Sequence, residues 1–281
     1  MPRADAPETC AETIHLVCGG ESGRHLDAIV APLLIHDLPV MVWWPNEPRF
    51  ESTASTELLN LADRILVDGS AWSGDGLRRL ASMAALPTEY KVEIADFALL
   101  RQVRWREAIA STFDRPALLP YLAHLDRIEI HYSARSGAPG EANVVRPLYH
   151  AAWLGARLGM TCVEPLVAGT EAWSGYEGML RHGRRLVPVH LQPVESGAPS
   201  GTTLVVELHA TRGRSQLWVE VTAYSDGIVV HASLDSNPMP ERRFHAPRRR
   251  ESELLAETID TAGRDELTAE VLAMSARLVG Q

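Results

Sequence analysis

The segment Asp37-Leu-Pro-Val-Met-Val-Trp-Trp-Pro45 decides the fold of the first part of this chain. Its apolar run predicts a short buried strand, and two indole rings follow at the end of that strand. Neighbouring strand residues point to opposite faces, so Trp43 and Trp44 are expected to meet different surroundings. Two interpretations stay open: core aromatic residues beneath a loop, or a docking surface for another protein, which indole rings also suit.

Similar apolar runs alternate with helical patterns on both sides of this segment. Short strands separated by helices are typical of a mainly parallel sheet covered by helices, which predicts an α/β N-terminal domain. The predicted strands are Thr13 to Cys18, Pro39 to Trp43, Arg64 to Asp68 and Val92 to Ile94. The predicted helices are His25 to Ile35 with a kink at Pro32, a helix opening at Thr56, Gly76 to Leu86, and Leu99 to Phe113.

The second part of the chain changes to alternating periodicity after residue 180. Four strands with hairpin turns predict an antiparallel meander with one apolar face. The predicted elements are a helix Arg115 to His124, a strand Arg127 to Tyr132, a helix Glu141 to Leu158, strands Leu186 to Leu191, Thr203 to His209, Gln216 to Tyr224 and Gly227 to Leu234, and helices Ser252 to Ala262 and Asp265 to Leu278 split by Gly263. We therefore predict an α+β domain with an antiparallel meander covered by helices, and divide the chain into residues 1–115 and 116–281.

The composition is typical of a globular protein that binds neither nucleic acid nor membranes. Hydrophobic residues are 46% and charged residues 22% of 281, and the net charge of −9 argues against a polyanion partner. Three cysteines, Cys10, Cys18 and Cys162, have no CxxC spacing and predict reduced thiols. The sequence shows neither an apolar run of about 20 residues nor a secretory leader, so we expect a cytoplasmic protein.

The usual signatures of catalysis and of cofactor or metal binding are absent from the sequence. Gly19-Gly-Glu-Ser-Gly23 lacks both nucleotide-binding spacings and is interpreted as a turn, with a bound phosphate as the alternative. The histidines form no HxH or HExxH pair, and no GxSxG is present. Four aspartates stand near predicted strand ends, where helix caps or a ligand site are both open: Asp63, Asp68, Asp75 and Asp96. We predict no catalytic, cofactor or metal residues.

A second candidate surface is the segment Arg101-Gln-Val-Arg-Trp-Arg-Glu107. Arg101 and Trp105 are four residues apart on one predicted helix and are expected to share a face. Arginine and tryptophan are enriched where protein interfaces bind most strongly. The alternative is a core Trp105 with solvated arginines around it.

Several segments in the same order resemble the glucose-6-phosphate dehydrogenase assembly protein OpcA family. They are Leu33 to Pro45 with the double tryptophan, Leu61 to Asp68, Ala95-Asp96 through Trp105-Arg-Glu107 to Phe113-Asp114, Arg127-Ile-Glu-Ile, Ala152-Trp-Leu154, and Glu253-Leu-Leu-Ala-Glu with the last helix. The resemblance implies a non-catalytic accessory protein that binds glucose-6-phosphate dehydrogenase and promotes its active oligomer in the oxidative pentose phosphate pathway. It supplies no catalytic residues.

Two departures from the family pattern qualify this resemblance. The family usually has more chain before the strand at Thr13, so we expect an N-terminally short member with an incomplete first sheet. Cyanobacterial members are associated with thiol control through cysteines near the C-terminus, and this chain has none beyond Cys162. Redox regulation is therefore not expected.

Three hypotheses follow. The first is a scaffold that binds the dehydrogenase through Trp43, Trp44, Arg101, Trp105 and Arg106, as contact or contact-supporting residues. The second is an enzyme or sensor for a sugar phosphate or nucleotide, which would use the Gly19–Gly23 turn and the strand-end aspartates. The third is a family relative that has lost its partner after N-terminal shortening.

Overall fold

Two β-sheets and eight α-helices form the part of the chain that our computed structural model describes, residues 13–17, 19, 25–171, 173–260 and 265–281. The small sheet contains β1 (Met41–Trp43), β2 (Arg64–Val67) and β3 (Glu93–Asp96). Its strands pair in parallel in the order β1-β2-β3. This confirms the α/β expectation for the first part of the chain.

The helices of the first part alternate with these strands. They are α1 (Leu26–Val30), α2 (Thr53–Leu59), α3 (Leu77–Tyr90), α4 (Phe97–Leu100) and α5 (Val103–Phe113). The Ser52 hydroxyl accepts a hydrogen bond from the Ser55 amide and so caps α2, which places its start before the predicted Thr56. The predicted kink at Pro32 is confirmed, since α1 continues as a 3-10 turn over Ala31–Leu33.

The large sheet belongs to the second part of the chain. Its strands are β4 (Leu125–Ala134), β5 (Thr161–Ala168), β6 (Tyr176–His182), β7 (Arg185–Glu195), β8 (Thr203–Arg212), β9 (Ser215–Tyr224), β10 (Gly227–Leu234), β11 (Asn237–Pro238) and β12 (Arg242–His245). Their order is β11-β10-β9-β8-β4-β7-β6-β5, and β12 also pairs with β10. The helices that accompany it are α6 (Val145–Arg157), α7 (Glu251–Asp260) and α8 (Glu266–Leu278).

One face of the large sheet forms the core, as the alternating pattern predicts. Alternate residues such as Val219 and Val221 on β9 are fully buried, and α6 contacts β4, β7 and β8. The intervening residues, including Trp218 and Glu220, stay partly exposed on the opposite face. The predicted antiparallel meander covered by helices is confirmed for three of its four strands, β8-β9-β10, whereas the fourth, β7, is separated from β8 by β4 and pairs with β4 in parallel. Among the described helices, none has the length and apolar character that would let it cross a bilayer.

The predicted strand from Thr13 to Cys18 is wrong over its described residues. Residues 13–17 have no regular secondary structure, and Cys18 lies outside the described part. Within the described ranges, β1 is an edge strand of the small sheet and pairs only with β2. Only Gly19 of the Gly19–Gly23 turn is described, and Gly263 lies outside the described residues as well.

Two predicted helices differ in the structure. The helix expected over Leu99 to Phe113 is interrupted at Arg101 and Gln102, between α4 and α5. At this break both side chains bind partners outside the helix: Arg101 donates to Asp68, and Gln102 donates to the Arg146 carbonyl. Instead of an α-helix from Arg115, a 3-10 helix spans Leu119–His124. The division at residues 115/116 falls in the connection before this turn and remains a prediction.

The long helix and the strands of the second part also differ from the prediction. Helix α6 begins at Val145 rather than at Glu141, because the Asn143 side chain accepts a hydrogen bond from the Val145 amide. Strands β5 and β6 were not predicted. The large sheet is mixed, since β4 pairs in parallel with β7 at its centre.

Candidate functional site

A buried polar cluster lies at the carboxyl ends of β2 and β3, where parallel α/β sheets usually bind ligands. Asp96 ends β3 with only 1% of its surface exposed. Its Oδ1 accepts hydrogen bonds from the Gly69 and Ala98 amides at 2.9 and 2.7 Å. Its Oδ2 accepts one from the Tyr149 hydroxyl at 2.6 Å. The carboxyl group is therefore fully partnered inside the protein.

Burial affects the pKa values of both Asp96 and Tyr149. Burial, and after it the nearby Asp68 carboxylate, raise the pKa of Asp96 to about 6, although its three hydrogen bonds act in the opposite direction. Burial also raises the pKa of Tyr149 well above its ordinary value, followed by the effect of the Asp96 charge. Tyr149 therefore acts as a hydrogen-bond donor at neutral pH.

Asp68 and Arg101 form the second half of the cluster. Arg101 Nη1 donates to Asp68 Oδ2 at 2.6 Å, and the two side chains are 16% and 10% exposed. Asp68 Oδ1 also accepts from the Ser70 amide and hydroxyl. Arg146 donates to the same hydroxyl at 3.0 Å. Burial lowers the pKa of Arg146, and the neighbouring Arg101 charge lowers it further.

Backbone spacing keeps this cluster closed. A Cβ atom at Gly69 would lie 2.6 Å from Oδ2 of Asp96 and 2.8 Å from a methyl group of Val145, so only glycine fits. Asn143 donates to the carbonyls of Gly69 and Trp72 and ties the start of α6 to the same turn. Sequence reasoning missed Tyr149 and Asn143. Their positions within one helix and one loop carry no local signal for contact with β2 and β3.

The four strand-end aspartates do not form one site. Asp68 and Asp96 come together, whereas Asp63 lies at the opposite end of β2 and accepts from the Val40 amide at 2.8 Å. Asp75 accepts from the Leu77 amide, the first residue of α3, and from the Tyr176 hydroxyl. Capping bonds account for Asp68, Asp75 and Asp96, as one of the two interpretations predicted.

The two tryptophans of the opening segment lie on opposite faces of β1, as predicted. Trp43 is 39% exposed and its ring lies 6.1 Å from that of Phe97. The Arg101 guanidinium also lies over the Phe97 ring, 6.0 Å from its centre. Trp44 packs against the main core and meets Phe50 edge-on.

Trp105 and Arg106 lie away from these tryptophans. The Trp105 ring is tilted by 59° to the ring of His150, with the centroids 5.2 Å apart. His150 is fully buried, and burial together with the Arg106 and Arg146 charges lowers its pKa to about 3. The expectation that Arg101 and Trp105 share a helix face is wrong, because the helix is broken between them. Arg106 donates to the Leu99 carbonyl and lines a cavity of about 630 Å³ shared with α3, α7 and α8.

The described residues contain one group with metal-ligand geometry. Ligand atoms of Glu129, Glu207 and His209 lie within 4.8 Å of one another on the partly exposed face of the large sheet. The Arg127 guanidinium lies 3.3 Å from both ring nitrogens of His209. Arg127 already pairs with Glu129 and contacts the His209 ring, so two of the three ligand groups are engaged and we assign no metal here.

The fold is of the Rossmann-like α/β class with an appended large sheet. A 3-ketoreductase from Actinomadura kijaniata, KijD10, solved with TDP-benzene and NADP, superposes with a TM-score of 0.52 at 12% identity, over 89% of this chain and 78% of that one. At this identity the similarity shows the fold alone.

Two family comparisons then identify the chain. Residues 2–85 match the family described as glucose-6-phosphate dehydrogenase subunit N-terminal domain, and residues 92–272 match the corresponding C-terminal domain. The chain therefore belongs to the OpcA family of glucose-6-phosphate dehydrogenase subunits, as the resemblance implied. The OxPP cycle protein OpcA of Synechocystis sp. is 29% identical over 156 residues, which are 55% of this chain and 30% of that protein.

Proposed function

We propose that this chain is a non-catalytic, cytoplasmic accessory protein that binds glucose-6-phosphate dehydrogenase and promotes its assembly or allosteric activation. The observation that carries the proposal is family membership over both parts of the chain. The name of the Synechocystis relative supports a role in the oxidative pentose phosphate pathway. A partner of this kind shifts an equilibrium by binding the active state of the dehydrogenase better than the inactive one.

The polar cluster supports a non-catalytic role. At the carboxyl edge of the small sheet, Asp96 is used by two amides and Tyr149, and Asp68 is used by Arg101 and Ser70. These side chains serve the protein's own packing at the place where the fold usually offers groups to a ligand.

Exposed apolar side chains that precede and end β1 support docking. Leu33, Ile35 and Leu38 are 50%, 70% and 59% exposed, and Trp43 follows them in the sequence at 39%. Exposed apolar side chains that form one patch mark interaction surfaces, and we propose that these four do so. We assign Trp43 to direct contact, and Arg101 to support beneath it through Phe97.

The remaining predicted residues fit a supporting role. Trp44 and Trp105 pack against the main core. Arg106 lies beside the cavity and is largely withdrawn from the surface, as the lowering of its pKa by burial indicates. We propose that these three hold the docking surface in shape.

The test is dehydrogenase activity against glucose 6-phosphate concentration, with and without this protein. We expect added protein to raise activity, and Trp43→Ala to weaken binding by about 2 kcal/mol, or roughly thirty-fold. The matched control is Trp173→Ala, because Trp173 is similarly exposed at 40% in the second part of the chain. Unchanged activation by Trp43→Ala would remove Trp43 from the docking surface, and no binding by the unaltered protein would refute the function.

One observation favours a second candidate, the binding of a small polar ligand. The cavity of about 630 Å³ has a size typical of ligand sites, and both basic and acidic side chains line it: Arg64, Lys91, Arg106, Glu93, Glu257 and Asp265. Calorimetry of the isolated protein with glucose 6-phosphate and with NADP separates the two candidates. Tight binding of either compound favours the second, and heat changes at the level of buffer favour the first.

A further inference from the structure

A row of acidic side chains crosses the partly exposed face of the large sheet. Strand register places them directly beside one another on six adjacent strands. The row, which we call the glutamate row, consists of Glu177, His190, Glu129, Glu207, Glu220 and His231 on β6, β7, β4, β8, β9 and β10.

The centre of the glutamate row carries like charges at directly opposed positions. Glu129 is opposite Glu207, and Glu207 is opposite Glu220. Like charges at directly opposed positions destabilise a sheet. The three neighbouring glutamates therefore do not stabilise the sheet, which favours a role for them in binding.

Lysine and arginine side chains of the described chain pair with only one of these three carboxylates. Glu129 has Arg127 at 3.3 Å and the His190 imidazole at 3.6 Å. Glu207 accepts from the Trp218 indole at 3.2 Å and otherwise lies near two imidazoles. Glu220 accepts from the Thr222 hydroxyl, and no lysine or arginine of the described residues lies within ion-pair distance of it.

The row is partly exposed. The side chains of Glu129 and Glu207 are 17% and 20% exposed. Beside Glu207 a depression of about 360 Å³ is lined in part by Arg127, His209 and Trp218. An indole next to a carboxylate suits an arginine side chain, which can stack on the ring and donate two hydrogen bonds.

We infer that the glutamate row docks a basic patch on the surface of glucose-6-phosphate dehydrogenase, with arginine or lysine side chains opposite Glu207 and Glu220. This inference rests on the proposed function and adds a second surface, on a different sheet from Trp43. A second copy of this chain is a poorer occupant, because it would bring one acidic row against another. Oppositely charged surfaces also accelerate association, and the attraction weakens with salt.

The test is the affinity of the purified dehydrogenase for the double variant Glu207→Gln/Glu220→Gln at two salt concentrations. We expect affinity at low salt to fall at least tenfold, and its salt dependence to become shallower. The thermal midpoint of the variant should be unchanged or higher, because the substitutions remove repulsion. The control is Glu89→Gln on α3, an exposed carboxylate whose substitution changes the charge as much as each single substitution in the row.

The outcomes separate the inference from the function on which it rests. If the unaltered protein binds and the double variant binds equally well, the glutamate row is wrong and the proposed function stands. If the unaltered protein does not bind the dehydrogenase, both fail. If the double variant proves less stable, the single Glu220→Gln, which breaks no ion pair in the described structure, decides by the same measurement. Self-association that the double variant abolishes would also overturn the inference.

Discussion

The Tyr149 hydroxyl donates a 2.6 Å hydrogen bond to Oδ2 of Asp96, and both side chains are almost completely buried. This bond joins α6 in the second part of the chain to the end of β3 in the first. Because neither group meets water, its loss leaves an unsatisfied acceptor inside the protein. The bond therefore contributes, with those of Asn143 and Arg146, to holding α6 against the small sheet.

Tyr149→Phe should lower the free energy of unfolding by about 1–3 kcal/mol, because a buried carboxyl oxygen loses its donor. Urea denaturation at pH 7 measures the change. Tyr121→Phe is a suitable control, since its hydroxyl donates to Ser215 near the surface, and it should cost less. Equal losses in the two variants would show that the Asp96 bond has no special weight.

The raised pKa of Asp96 should make stability depend on pH in a defined window. Its folded value of about 6 lies above the ordinary 3.8, so the folded state holds the proton more tightly. The contribution to stability is then complete below about pH 4 and is lost as pH rises to about 6, by roughly 3 kcal/mol.

Asp96→Asn isolates this effect because asparagine keeps the shape of the side chain and does not ionise. As pH rises from 4 to 6, the unaltered protein should lose free energy of unfolding relative to the variant. Denaturation curves at pH 4, 5, 6 and 7 test this. Parallel stability profiles for the two proteins would contradict the assignment.

The Asp68–Arg101 ion pair should show coupling in a double-mutant cycle. Asp68→Asn and Arg101→Met each remove one partner of a pair that is 10% and 16% exposed. We expect a coupling energy of about 1–3 kcal/mol, measured by urea denaturation of the two single variants and the double variant. As a control, the exposed pair Arg104–Glu107 should give a value near zero. Additive losses at Asp68 and Arg101 would count against the pair.

The two adjacent tryptophans should respond differently to truncation. Trp44→Ala should cost about 3 kcal/mol of stability, because its ring packs in the core against Phe50. Trp43→Ala should cost about 1 kcal/mol, the value of its ring contact with Phe97, and act mainly on partner binding. Denaturation and dehydrogenase binding are measured on both. A larger stability loss at Trp43 than at Trp44 would reverse their roles.

Local sequence patterns correctly predicted the elements whose structure depends mainly on apolar periodicity and on turn residues within the element. The β1 segment, the strand at Arg64, the four strands β7 to β10 and the last helix α8 follow from apolar periodicity and turn residues. The opposite faces of Trp43 and Trp44 followed from the strand geometry alone.

Long-range contacts explain what the sequence could not predict. Arg101 leaves its helix because Asp68, distant in the chain, accepts its guanidinium, and no local pattern reports that partner. Strand β5 includes Pro165 and mostly exposed side chains, so it lacks the alternation by which strands are recognised. The glutamate row exists only through the register of six strands and is invisible in any one of them.

The parallel pairing of β4 with β7 has a consequence for how the chain folds. The hairpins β8-β9 and β9-β10 join neighbours in the chain and close only short loops. The pairing of β4 with β7 instead closes a long loop, because α6, β5 and β6 lie between the two strands in the chain. Non-local strand pairing of this kind slows folding. The two pairings of β4, with β7 and with β8, are therefore expected to form after the hairpins and to limit the rate of folding.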